Sequence, residues 1–290
     1  MTNTERGNDA VESTRRKREN TVKTILITGT TSGIGKVTAL ELAREGHRIF
    51  MANRNRQKAE AVLQEIQSAS GNDNLELLDL DLSSLASARA CAAQFLAVND
   101  SLDLLINNAG LTCPDEVITD DGFELQVAVN ALCQLQFTLD LLPALSARPS
   151  QVIFVTSMMH KFGKLNPDSF RGWQKYSGNA SYAQSKLVMT MLARELAEQW
   201  RDKGIAVNAL HPGAVNTGIL DSYSPLQQFF LRLLFTAPEK GARTTLYLAG
   251  LDPQDAPTGV YFDKAKPAAT HKLVDDEAAR KALWATCNEL

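Results

Sequence analysis

Tyr182 and Lys186, four residues apart in SYAQSK, are the pair in this 290-residue chain best suited to move a proton. That spacing puts both side chains on one face of a helix. A free phenol has a pKa of about 10 and is a poor acid or base at neutral pH. A neighbouring ammonium stabilises the phenolate and draws that pKa toward the working range. Of the five tyrosines, Tyr182 alone has a lysine four residues on. The bland alternative is a chance Tyr/Lys pair on a solvated helix. Against it stands position, because the pair follows a β-rich run, QVIFVTS, ending in Ser157. The Ser157 hydroxyl can donate to a substrate oxygen, with Thr156 as the fallback. Asn130, in VNALCQ, can hold a water that relays protons to Lys186, or it is a packing detail.

A second group of residues is suited to phosphates. An apolar run, TVKTILITG, leads into TGTTSGIG and then directly into a helical pattern. Gly29 permits a tight exit from a strand, Gly33 lets backbone approach a pyrophosphate, and Gly35 lets the helix lie close to the sheet. The helix N-terminus offers free N–H groups and the positive end of a dipole. Three glycines alone could be only a turn; between a strand and a helix they favour a dinucleotide.

The end of the second strand should meet the adenosine ribose. A carboxylate there would bind the 2′-hydroxyl of NAD and repel a 2′-phosphate. This chain has Asn53 and Arg54 in ANRNRQK, an uncharged residue followed by a guanidinium. That pair suits NADP(H) over NAD(H), the alternative being a solvated basic turn. Asp81, in LDLDLSS, can accept from the adenine amino group, with Asp79 as competitor. After the fourth strand, NNAG (Asn107 to Gly110) offers small residues beside the glycine loop, or an ordinary turn.

The elements that must position these residues alternate. Strand patterns are TVKTILITG, HRIFMA, LELLDL, LDLLIN, QVIFVTS, IAVNAL and TGVYF. Between them lie helical patterns over Ile34–Glu45, Asn55–Ser68, Leu85–Val98, Phe123–Leu142, Ser181–Lys203 and Glu239–Ala249. Alternation predicts an α/β fold: a single doubly wound Rossmann-type domain over about 22–262, with a seven-stranded, mostly parallel sheet and helices on both faces. Residues 1–21 read as a flexible polar leader, and 263–290 as a tail and helix outside the domain. The segment Pro225–Phe235, PLQQFFLRLLF, reads as a substrate lid within about 222–238. The competing reading is a helix gripping a partner or, weakly, a membrane surface, since Arg232 is its only charge.

Composition narrows the function. With 44% hydrophobic residues the chain is neither disordered nor fibrous. A net charge of -3 leaves no basic field for nucleic acid. Four scattered cysteines and four scattered histidines predict free thiols and no metal. No run reaches the ~18 apolar residues of a membrane span, and the polar N-terminus lacks a secretory core, so the expected location is cytoplasmic.

TGTTSGIG, NNAG, Asn130, Ser157 and the Tyr182/Lys186 pair, in this order, resemble the short-chain dehydrogenase/reductase family over about Val22 to Phe262. The NRN after the second strand, the S-x-x-H of Ser157 to His160 and the long segment between Ser157 and Tyr182 are most similar to its retinol-dehydrogenase-like members. The inserted FGKLNPDSFRGWQKYSG is expected to form a lobe over the substrate mouth. The resemblance implies Tyr182, Lys186, Ser157 and Asn130 as the catalytic set. It implies phosphate contacts from Thr31, Ser32 and Ile34 beside the three glycines. Leu82 joins Asp81 at the adenine, and Asn108, Ala109 and Gly110 lie along the sugar. In HPGAVNTG, Pro212, Gly213 and Val215 flank the nicotinamide and Thr217 touches its carboxamide. Cys133 departs from the pattern, standing where this subgroup usually has glycine. The implied activity is NADP(H)-dependent reduction of a lipophilic ketone or aldehyde, or the reverse oxidation, with Tyr182 as acid/base. A catalytically silent NADP-binding regulator is the alternative. Relatives often form homodimers or homotetramers through the two long helices.

Overall fold

A computed structural model describes residues 22–213 and 238–288. The strands run β1 Thr24–Thr28, β2 Arg48–Asn53, β3 Leu75–Asp79, β4 Leu104–Asn107, β5 Ser150–Val155, β6 Ile205–His211, β7 Tyr261–Asp263 and β8 Lys266–Pro267. Their order across one sheet is β3-β2-β1-β4-β5-β6-β7-β8, parallel throughout except for the last pair. The seven expected strands are thus joined by a two-residue antiparallel eighth. β5 and β6 are buried along their whole lengths, as unbroken apolar runs covered on both faces must be.

One face carries α1 (Gly33–Arg44), α2 (Arg56–Ser70) and α8 (Pro238–Ala249) over Ile25, Ile27, Ile49, Ile153 and Leu210. The other carries α3 (Leu85–Leu96), α5 (Cys133–Asp140) and α7 (Gly178–Gln199) over Leu26, Phe50, Leu105, Phe154 and Val207. Strand order reverses between β1 and β4. Their C-terminal ends therefore open the crevice where such sheets take ligands, and both glycine-bearing loops leave the sheet there.

The helix expected over Phe123–Leu142 is not continuous. α4 (Leu125–Val127) passes into a π turn over Ala128–Leu132, then α5, then α6 (Leu142–Leu145). The apolar pattern runs through the turn unbroken, so periodicity alone does not reveal it. π turns are commonest at functional sites, and this one holds Asn130. The second long helix starts earlier than expected, at Gly178, because the Ser177 hydroxyl accepts the Ala180 amide and caps it.

The chain after Phe262, expected to lie outside the domain, folds back onto it. α9 (Lys272–Asp275) and α10 (Glu277–Asn288) lie against α7, and Val274 and Leu283 join the core beside it. All four cysteines are free thiols. Burial pushes the thiols of Cys91, Cys133 and Cys287 up to about 12, which disfavours their thiolates. Cys133, at the position where the subgroup usually has glycine, is fully buried in the core.

The hairpin joining β7 to β8 turns on Lys264 and Ala265 at φ 50° and 58°. Two central residues at positive φ suit Asn-Gly far better than Lys-Ala. A non-glycine residue in this region costs about 1–2 kcal/mol, partly offset by the greater freedom glycine loses on folding. Ala265→Gly is therefore expected to stabilise the protein by about 0.5–1 kcal/mol, raising Tm by roughly 1–3 °C in a thermal melt. An unchanged or lower Tm would show that the turn carries no such strain.

Candidate active site

The loop after β1 is lashed to both neighbouring strands. The Thr28 hydroxyl accepts the amides of Asn108 and Ala109 at 3.0 and 2.9 Å. The Asn108 side chain donates to the carbonyls of Thr28 and Gly29, both at 2.9 Å. Gly29 turns at φ 71°, where a Cβ would press on Ala109. A Cβ on Gly35 would collide with the Gly29 carbonyl and the Asn108 amide. These glycines do what their spacing implied: one makes the turn and one lets the helix touch the loop. Ser32 is exposed at the helix N-cap without capping it, and α1 has no acidic residue in its first turn. Its leading amides and positive dipole end are therefore left to an anion. Thr31 and Gly33 are half-buried, and Ile34 is buried under the helix.

Asn53 has a different task from the one its place suggested. It is buried, its Oδ1 accepts the Thr30 amide at 2.7 Å, and its Nδ2 donates to the Thr30 hydroxyl at 2.8 Å. The side chain ties the glycine loop to β2. Arg54, beside it, is exposed and has no hydrogen bond or ion pair with the described residues. Arg56, by contrast, pairs with Glu60 and Asp79, which occupies the competitor to Asp81. The Asp81 Oδ1 accepts the amide and hydroxyl of Ser83 at 2.9 and 2.7 Å. Leu82 is buried behind it.

Across the crevice, α7 presents Tyr182 and Lys186 on one face. The Lys186 ammonium lies 5.7 Å from the centre of the Tyr182 ring. It is only 4% exposed and donates to the Val155 carbonyl at 3.4 Å. Burial pushes its pKa down to about 8, and no carboxylate among the described residues opposes the shift. Gly110 faces this group: a Cβ there would stand 3.1 Å from both Lys186 Nζ and Asn130 Oδ1. The small residue of NNAG keeps this space open.

Ser157 follows β5 directly. Its Oγ accepts the Met159 amide at 3.2 Å, which leaves the hydroxyl proton to be donated. Thr156, the fallback, is buried and donates to the Leu210 carbonyl at 3.2 Å. Its proton is committed to the sheet.

Asn130 is held through its side chain. Oδ1 accepts the Leu111 amide at 2.8 Å, while Nδ2 donates to the Leu111 carbonyl and the Ser185 hydroxyl at 2.9 and 3.0 Å. Both amide protons are thus spent, and Oδ1 keeps one lone pair, on the side where a Cβ at Gly110 would stand 3.1 Å from it and from Lys186 Nζ.

Several supports have no motif of their own. Gln134 donates to the carbonyls of Ala109 and Val129, clamping NNAG to the π turn. Buried Glu124 accepts from the Ser181 hydroxyl at 2.7 Å, next to Tyr182. Gln184 accepts the Asn166 amide and donates to the Ser169 hydroxyl, fastening the inserted lobe to α7. Only Thr28 and Thr30 gave a sequence signal, as threonines within TGTTSGIG. Pro212 and Gly213 follow β6, half-buried. Val215, Thr217 and the expected lid lie outside the described residues, as does the N-terminal leader. Among the described residues no cluster could hold a metal, and no helix is long and apolar enough to cross a membrane.

A family model for short chain dehydrogenases matches residues 23–227. The chain belongs to the short-chain dehydrogenase family. It is 39% identical to retinol dehydrogenase 13 of Homo sapiens, covering 91% of this chain and 82% of that one. It is 36% identical to retinol dehydrogenase 14 of Homo sapiens, covering 90% and 84%. Among solved structures, an uncharacterized protein from Mycobacterium paratuberculosis superposes with a TM-score of 0.74 at 30% identity, covering 92% of each chain. The RhlG–NADP active-site complex of Pseudomonas aeruginosa gives 0.67 at 25% identity, covering 83% of this chain and 93% of that one.

Short-chain dehydrogenases are oxidoreductases that bind a nicotinamide cofactor, and the crevice fits one. The uncapped N-terminus of α1 suits a pyrophosphate, and a side chain at Gly110 would crowd the space beside Lys186 and Asn130. The retinol-dehydrogenase likeness first read from NRN and S-x-x-H is matched by these relatives.

Proposed function

We propose that this short-chain dehydrogenase interconverts a lipophilic ketone or aldehyde and its alcohol, preferring NADP(H). The observation that carries the reading is a buried Lys186 beside Tyr182, its ammonium on the Val155 carbonyl two residues before Ser157. Ser157 has a proton to donate and orients a substrate oxygen. Tyr182 gives that oxygen its proton in reduction and takes it back in oxidation. Lys186, held in low dielectric without a counter-carboxylate, favours the phenolate. The bound nicotinamide supplies or accepts the hydride. The retinol dehydrogenases among its relatives support a lipophilic substrate. The lid reading of Pro225–Phe235 is kept as part of this proposal. A homodimer or homotetramer through the long helices would have to use the part of α7 that α9 and α10 leave uncovered.

Arg54 supports the preference for NADP(H), as the uncommitted guanidinium after β2 with no carboxylate at that strand end. A charge-assisted bond to a phosphate is worth about 1.5–3 kcal/mol. Arg54→Glu is therefore expected to lower kcat/KM for NADPH about 10- to 100-fold and to move the preference toward NADH. Equal use of both cofactors by the unaltered enzyme would overturn the preference.

The reading is tested by following NADPH oxidation with a panel of apolar aldehydes and ketones, beside Tyr182→Phe. Turnover that requires Tyr182 supports it. Tight NADPH binding without turnover would favour the silent regulator instead.

A further inference from the structure

We propose that His160 and His211 are positioning residues that clamp the Ser157–Met158 peptide plane and so aim the Ser157 hydroxyl. The inference rests on the oxidoreductase reading above. His160 Nδ1 lies 2.7 Å from the Ser157 carbonyl, and the His160 amide donates to the same oxygen at 3.1 Å. On the other edge of that peptide, the Met158 amide donates to His211 Nδ1 at 3.3 Å. Both polar ends of one planar unit are thus held by imidazoles, one from the turn after β5 and one from the end of β6. A peptide plane held at both ends fixes the backbone of the residue before it. Ser157 is that residue, and its Oγ is pinned in turn by the Met159 amide.

The ring chemistry follows from the partners. A carbonyl only accepts, so His160 carries its proton on Nδ1. An amide only donates, so His211 is bare at Nδ1 and carries its proton on Nε2. Burial lowers the pKa of both rings, His160 to about 4, which keeps them neutral in these opposite tautomers.

His160 is poorly suited to be mere filling. It is 0% exposed and packs at a tilt against Tyr261, with ring centres 4.6 Å apart. Its Nε2 is buried with no hydrogen-bond partner among the described residues. An apolar side chain would fill the same space without orphaning an acceptor. What the imidazole adds is the short bond to Ser157.

The test measures kcat for His160→Phe in the unaltered and Ser157→Ala backgrounds. Phenylalanine keeps a ring against Tyr261 but loses the donor. A small misplacement of a catalytic group costs about 10- to 100-fold. A loss of that size is expected in the first background, with NADPH affinity unchanged, and no further loss of residual rate in the second. His160→Asn, whose amide can stand near the Nδ1 position, should recover most of the activity. Equal losses in both backgrounds, or full activity of His160→Phe while Ser157→Ala is impaired, would overturn the positioning role alone. Full turnover by Ser157→Ala would instead remove Ser157 from the proposed mechanism and this inference with it. Should His160→Phe not fold, nitrogen NMR of the unaltered protein decides. Protonated Nδ1 on His160 and Nε2 on His211 are expected, and the reverse tautomer on His160 overturns the clamp.

Discussion

Lys186→Met is expected to yield a protein that is more stable and nearly inactive. The ammonium stands almost fully buried beside Tyr182, and burial alone lowers its pKa from 10.5 to about 8. Without cofactor, the fold therefore carries a charge it would shed more readily than the unfolded chain does. The sign follows from linkage. Below pH 8 both states hold the proton, and the full cost of burying it is present. Between pH 8 and 10.5 the folded state releases the proton first, so stability climbs with pH. Above 10.5 both states are neutral and the cost is gone. At 1.36 kcal/mol per pKa unit the cost is at most about 3 kcal/mol. Methionine keeps the stem's volume without the charge, so the variant should be more stable near neutral pH by up to that amount. The difference should narrow above pH 8. Denaturant unfolding of both proteins near pH 7 and pH 10 measures it. A parent chain at least as stable as the variant at pH 7 would mean that the ammonium has a partner offsetting its burial. Turnover should fall about 10²- to 10⁴-fold, the range general acid–base catalysis supplies. Stability is thus spent where Tyr182 needs a charge.

How much of this was legible in the chain depends on the range of the interaction. Tyr182 and Lys186 could be paired from spacing because a helix brings i and i+4 together whatever surrounds it. Gly29 and Gly35 could be read because a strand running straight into a helix leaves room for no side chain. Asn53 was assigned to the ribose because it ends β2 beside Arg54. Its actual partner, Thr30, comes from a loop on another strand, a relation that no local pattern records. The bonding of Asn130 is of the same kind: Leu111 and Ser185 approach it only after β4 and α7 are in place. The π turn escaped because it leaves the apolar periodicity intact. For Asn53 and Asn130 alike, the bonding partners lay in another element.

The C-terminal segment shows the same limit energetically, and it yields the second large expectation. Its sequence reads as polar, yet Arg280 is buried and its Nε lies 3.3 Å from Glu195 Oε2 on α7, both side chains being no more than 6% exposed. Arg280 also donates to the Val274 carbonyl at 2.8 Å, and the Glu195 carboxylate accepts from Gln199 at 3.2 Å. Each charge has hydrogen bonds beyond the pair itself, which burial of an ion pair requires. Arg280→Met would leave Glu195 buried and unpaired, with an expected loss of about 3–5 kcal/mol. Glu195→Leu alone should lose a comparable amount, because it strands the guanidinium instead. The double variant Glu195→Leu with Arg280→Met should recover most of either loss, since no uncompensated charge remains. Denaturant unfolding of the four proteins forms the cycle. Amide exchange adds the location: in Arg280→Met, protection should fall first in α10, which leaves α7 when its anchor is gone. Strictly additive single losses would show that the two residues act independently. Below the unfolding transition, turnover should stay within about twofold of the parent. The pair lies in the distal half of α7, beyond the turns that carry Tyr182 and Lys186, and α10 contributes no group to the crevice.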